Sequence, residues 1–191
     1  MVKSGLIHDP MVSPYRLTAH LLLAFMVLAY ILWLCSELFP SKHQDLGKKK
    51  NLQKLLLLSL FMVILTISYG GLTAGLKAGK IYNTFPMMGP YWLAPEIFSQ
   101  TPFWLNFFEE PVTVQFIHRL LAICTFLLVM YTGSLGRSQT SDSENRFSFM
   151  WLQLAVTLQV LLGIGTLIWH VPLVLALIHQ AWAVVVFASL W

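Results

Sequence analysis

The sequence predicts an all-α, polytopic transmembrane helical bundle of five spans, and three observations carry that prediction. Of the 191 residues, 57% are hydrophobic and 10% charged, and the mean hydropathy is +0.70. A soluble domain carries about 25% charged residues, so this chain cannot cover itself with a solvated surface. Apolar stretches of about 20 residues, the length that crosses a bilayer, recur along it. In lipid, the backbone of such stretches is satisfied internally only by helices, which fixes their conformation. The net charge of +4 therefore belongs to the loops and is not the footprint of a nucleic-acid partner.

The first helix is expected over 13–36, where Ser13 and Pro14 form an N-cap and first-turn pair. The others are expected over 52–77, 112–133, 147–169 and 172–191. Pro111 and Pro172 stand at helix entrances, where a missing N–H costs nothing. The N-terminus, "MVKSGLIHDPMVSPYR", is too polar to supply the apolar core of a cleavable signal peptide. Cys35 and Cys124 each lie inside an apolar run, with no disulfide or zinc spacing, and are expected as small buried residues.

Charge assigns the sides. The first connection carries Lys42, Lys48, Lys49, Lys50 and Lys54 against Glu37 and Asp45; in the second, Lys80 is outweighed by Glu96, Glu109 and Glu110. Positive residues stay inside, so the first connection is cytoplasmic or matrix-facing and the second is outer. By alternation "SLGRSQTSDSENR", 134–146, is an inner polar loop, and the first, third and fifth helices run from outside to inside. The outer connection is aromatic and proline-rich, with Pro86, Pro90, Pro95 and Pro102 among Tyr91, Trp92, Phe98, Phe103, Trp104, Phe107 and Phe108. It reads equally as an interfacial aromatic belt and as a cover over a site.

Six histidines occur. His8, His43 and His170 fall in connections or at a boundary. His20, His118 and His179 lie within the three parallel spans, each roughly 9–11 Å below the outer boundary at 1.5 Å per residue. A lone intramembrane histidine usually makes an interhelical hydrogen bond. Three at one depth instead point to a haem-binding or metal-binding bundle with its site near the outer face, because imidazole is a good iron ligand and bundle cores build such sites from facing helices. Gln115 shares a helix face with His118. Arg119 points away from it, toward lipid phosphates or the carboxylates of a haem. Gly71, Gly75 and Gly79 form a GxxxGxxxG run that lets another helix or a flat ring approach closely, helix packing being the commoner reason, and Gly163 and Gly165 read the same way.

The segments "MVKSGL" with "VSPYRLTAHL", "GGLTAGLKAGKIYNTFPMMG", "TVQFIHRLLA" and "LLGIGTLIWHVPLVLALIHQ" run through the chain in order. On them the chain resembles the haem A synthase family of cytochrome oxidase assembly, in its mitochondrial-type branch. The resemblance implies an eight-span protein of two similar four-helix halves, each offering a pair of histidines to a haem. His118 and His179 match the C-terminal pair, the axial ligands of haem b, with Arg119 a candidate propionate contact. His20 matches the second histidine of the N-terminal half, which is associated with the haem O substrate. His118, His179 and His20 are thus the expected metal ligands, and no catalytic residue is assigned.

The implied reaction oxidises a methyl group of haem O to the formyl group of haem A by successive hydroxylation, with dioxygen and an external electron donor. "MVKSGL" follows the third span in the family, so the chain is expected to lack the first three helices. That leaves residues 1–51 as an orphan span of the substrate half with its basic loop, and 52–191 as a C-terminal four-helix haem-binding half. The alternative is a non-catalytic haem b-binding membrane protein or electron-transfer subunit. Implied partners are membrane lipid, haem O and haem A, a haem O synthase, an electron donor, cytochrome oxidase assembly factors and a further copy of the chain. The implied location is a bacterial cell membrane or the mitochondrial inner membrane.

Overall fold

Apolar runs too long for loops and too lipophilic for water fold here into five helices. The computed structural model describes residues 13–39 and 49–191. The "MVKSGL" motif, His8, Lys42, His43, Asp45 and Lys48 lie outside the described residues. Within them the helices are α1 (Pro14–Leu38), α2 (Lys50–Gly75), α3 (Pro111–Gln139), α4 (Ser143–Ile168) and α5 (Leu173–Ala188).

Helices α1 to α4 are each long and apolar enough to cross a membrane. Helix α5 is apolar apart from His179 and Gln180 but has 16 residues, which rise about 24 Å against a hydrocarbon core of about 30 Å. Side chains such as Leu57, Phe61, Leu127, Leu161, Leu173 and Leu177 stand exposed on the bundle, as lipid-facing positions do. Cys35 and Cys124 are exposed too, which corrects the expectation that they are buried: in lipid an outward apolar residue pays no hydration penalty, so hydropathy alone does not say which face points inward.

The loop expected over 134–146 shrinks to three residues. Helix α3 continues to Gln139 and α4 already starts at Ser143. Two end effects extend them. Asp142 caps α4 by accepting from the Glu144 N–H at 3.3 Å, and Arg137 lies in the last turn of α3, where a cation complements the helix dipole. Polar residues continue a helix past the membrane where a hydropathy reading would stop it.

Consecutive helices pack antiparallel, with α2 between α1 and α3, α4 between α3 and α5, and α5 returning against α1 and α2. The central cluster of Phe25, Val63, Ala155, Val186 and Phe187 draws on α1, α2, α4 and α5, and the Phe25 and Phe187 rings meet edge-on at 5.2 Å. Helices α1 and α2 cross closely on the glycine run. A β-carbon at Gly75 would lie 2.6 Å from Pro14 Cα, and one at Gly71 2.8 Å from Thr18 Oγ1.

The α2–α3 connection is folded. It contains 3₁₀ turns at Ala78–Lys80 and Phe103–Phe107 and a small core of Met88, Ala94 and Ile97 against Val112. Asn106, fully buried, ties it internally: its amide donates to the Gln100 and Phe103 carbonyls and its oxygen accepts from the Gln100 N–H, each at 2.8 Å. Outside this core, Trp92, Phe103 and Trp104 remain exposed, and Phe98, Phe103 and Phe107 stack on one another.

Candidate functional site

Two helix starts set the site. At α3, Pro111 occupies the first turn and the buried Glu110 carboxylate accepts from the Thr113 N–H. This is a charged N-cap at the positive end of the helix dipole. At α5, the chain reverses sharply after α4: His170 and Val171 both take left-handed φ, 62° and 60°, and the Val171 N–H donates to the Thr166 carbonyl at 2.8 Å. Left-handed φ is uncommon for a β-branched residue and marks a tertiary demand on the turn. Each start places a histidine about two turns into its helix, at the same end of the bundle.

There His118 of α3 and His179 of α5 line one cavity of about 410 Å³, walled by helices α1 to α5 and by the beginning of the α2–α3 connection. The rings are near enough for a charge on one to act on the other. The walls are mainly apolar, yet buried polar atoms without hydrogen-bond partners concentrate here: Thr73 Oγ1, Gln115 Oε1, His118 Nδ1, Arg119 Nε, Gln159 Oε1 and His179 Nδ1. Among the described residues these are six of seven such atoms. Each unpaired buried polar group costs about 1–3 kcal/mol, so their convergence on one cavity marks a place for polar guests.

Arg119 lines the cavity, and its guanidinium clamps the connection. Its terminal nitrogens donate to the carbonyls of Tyr82 at 2.7 Å, Thr84 at 2.8 Å and Met87 at 3.2 Å. Gln115 Nε2 also donates to the Tyr82 carbonyl, at 3.0 Å, and Asn83 Nδ2 donates to the Leu167 carbonyl of α4 at 2.8 Å. The clamped segment closes the cavity end and inserts Phe85 into its wall, with Lys77 and Lys80 beside it. On its outer side Tyr82 donates to Glu96 at 2.8 Å, a bond that raises the phenol pKa above 10.0. The connection thus combines a cover over the cavity with an exposed aromatic rim.

His20 is exposed on α1 and does not line this cavity. Among the described residues no cluster of three or more His, Cys, Asp or Glu could cage a metal ion. The structure therefore joins His118 and His179 and sets His20 apart. His170 is exposed at the α4–α5 turn. Sequence reasoning overlooked Gln159, Lys77, Lys80 and Phe85; for Gln159 the signal was present, an amide inside a span, the same anomaly that singled out the histidines.

The Cytochrome oxidase assembly protein family, COX15-CtaA, has a family model that matches residues 1–191. Among curated proteins the chain is similar to the heme A synthase of Nitrosospira multiformis, 41% identical over 196 residues that cover 100% of this chain and 54% of that protein. It is also similar to the heme A synthases of Wolbachia pipientis subsp. Culex pipiens, 38% identical over 99% of this chain and 55% of the relative, and of Nitrosomonas eutropha, 38% identical over 100% and 55%. The chain spans about half the length of the curated relatives it matches.

Proposed function

The chain belongs to the COX15-CtaA family of cytochrome oxidase assembly proteins, and from that premise we propose that it is a haem A synthase-like membrane protein whose His118 and His179 hold a haem b. The observation that carries the reading is the single cavity in which both imidazoles meet among unpaired buried polar atoms. Its volume of about 410 Å³ falls in the range of cofactor pockets, about 300–1,000 Å³.

The residues present fit such a group. Both Nδ1 atoms are buried, which leaves Nε2 of each ring as the candidate iron ligand, one from α3 and one from α5. A haem held by two histidines supplies one-electron redox chemistry. The chain's own part is to exclude water by its apolar walls, to fix both rings on rigid helices, and to close the cavity end through the Arg119 clamp. The Arg119 Nε, unpaired at the wall, and the neighbouring Lys77 and Lys80 offer positive charge to haem propionates. His20, exposed on α1 and outside the cavity lining, is assigned to the substrate haem O, whose methyl group is oxidised to the formyl group of haem A for cytochrome oxidase.

The test is purification of the 191-residue chain in detergent, followed by pyridine haemochrome assay and visible spectroscopy. The expected outcome is about one b-type haem per chain with a low-spin, bis-histidine spectrum. A helical but pigment-free protein overturns the reading.

A further inference from the structure

Each cavity histidine packs against a glycine of the helix that precedes its own. A β-carbon at Gly70 of α2 would sit 3.2 Å from His118 Cε1, and one at Gly163 of α4 would sit 2.9 Å from His179 Cε1. Four residues earlier on the same two helices, the main chain of Thr66 is the backbone group that acts on His118, and that of Gln159 the one that acts on His179. The arrangement therefore occurs twice: a main-chain carbonyl at one position, glycine one turn later, and an imidazole from the next helix resting on both. Neighbouring glycines do something else. Gly71 and Gly75 meet α1, and Gly165 meets Trp169 at the end of its own helix.

The repetition has a chemical reading. Which imidazole nitrogen is available to a ligand is set by what the other one faces, and the groups that orient a ligating histidine tune its affinity. A side chain at either glycine would push the ring away from the carbonyl. We propose that Gly70 and Gly163 are positioning residues, two seats that hold the His118 and His179 rings with Nδ1 toward the Thr66 and Gln159 carbonyls and Nε2 toward an iron in the cavity. The proposal rests on the haem reading above and extends it to residues that do not touch the haem iron.

The two seats differ in tightness, and the difference is testable. At 2.9 Å a methyl on Gly163 forces the His179 ring to move, whereas at 3.2 Å the His118 ring needs to give only slightly to admit one on Gly70. The experiment compares G163A, G70A and a G165A control in the whole chain. It measures the ferric low-spin EPR signal, haem retention against an apo-myoglobin acceptor, and helicity. G163A is expected to weaken haem retention about tenfold, as an outer-shell change does, and to shift the low-spin signal. G70A should shift it less, and G165A should leave both unchanged. A helical G163A with unaltered signal and retention overturns the proposal, as does a G165A shift equal to that of G163A. Where G163A does not fold, G70A decides by the same criteria. A pigment-free wild type sinks the haem reading itself, whereas a pigmented wild type indifferent to both glycine changes sinks only the seats.

Discussion

The two halves of the bundle place polar side chains in the same apolar surroundings but satisfy them to different extents. In the half away from the cavity they pair. Ser59 and Thr132 meet across α2 and α3 at 3.2 Å. Gln153 of α4 donates to the Met130 carbonyl at 3.0 Å and to Ser134 Oγ at 2.9 Å, and accepts from Arg137 at 3.2 Å. Trp182 of α5 donates to the Ala155 carbonyl of α4 at 2.9 Å. In the cavity half Thr66 and Thr125 pair at 2.8 Å, but two amides, a hydroxyl, a guanidinium and two imidazoles are each left with an unpaired buried atom. Paired groups glue helices together; unpaired ones converging on a space are the feature a structural role does not explain. Polarity inside a span is therefore a weak signal of function until its satisfaction is known.

The comparison is broken or sharpened by removing groups from each half. The largest effect is expected in the cavity half. His118→Ala or His179→Ala should abolish the low-spin spectrum, while His170→Ala, at the exposed turn, should leave it intact. If His170→Ala alone removed the spectrum, the cavity would be the wrong place. In the paired half, Gln153→Leu should lower stability by about 2 kcal/mol through the partners it strands, read as a shift in the denaturant midpoint of detergent-solubilised protein. The haem spectrum of the folded fraction should not move, and a spectral change would merge the two halves into one network.

The smallest effect concerns the clamp between them and the α2–α3 connection. A lysine cannot reproduce the planar fork that spans three carbonyls. Arg119→Lys should therefore speed amide exchange over 82–89 about tenfold, equal to the loss of roughly one charged hydrogen bond of about 1.5 kcal/mol. Unchanged exchange would mean that Asn83 and Gln115 hold the segment alone.

Much of this architecture was legible beforehand, for a reason particular to membranes. The bilayer demands long apolar runs with internal backbone pairing, so the positions of α1 to α5 follow from hydropathy and prolines to within a few residues at most ends. The exception, the α3–α4 connection, failed because capping by Asp142 and dipole complementation by Arg137 are local effects invisible to hydropathy. His118 and His179 were legible as intramembrane anomalies, and counting residues from Val112 and Pro172 set them at one level. Rotation about each helix axis was not legible. It is what turned His118 and His179 into one cavity, His20 to the outside, and Cys35 and Cys124 to exposed faces.

The sequence by itself determined that this is a helical membrane bundle, where its spans run, and which polar residues are anomalous within them, because lipid solvation selects on composition and length. Only the tertiary structure decided which anomalies face one another. It drew Arg119 onto the Tyr82–Met87 carbonyls and Gln153 into a satisfied network, and it set Gly70 and Gly163 beneath the two imidazoles. Those outcomes depend on helix rotation and close packing between segments far apart in the chain, and they are settled by steric fit at individual glycines rather than by any local pattern.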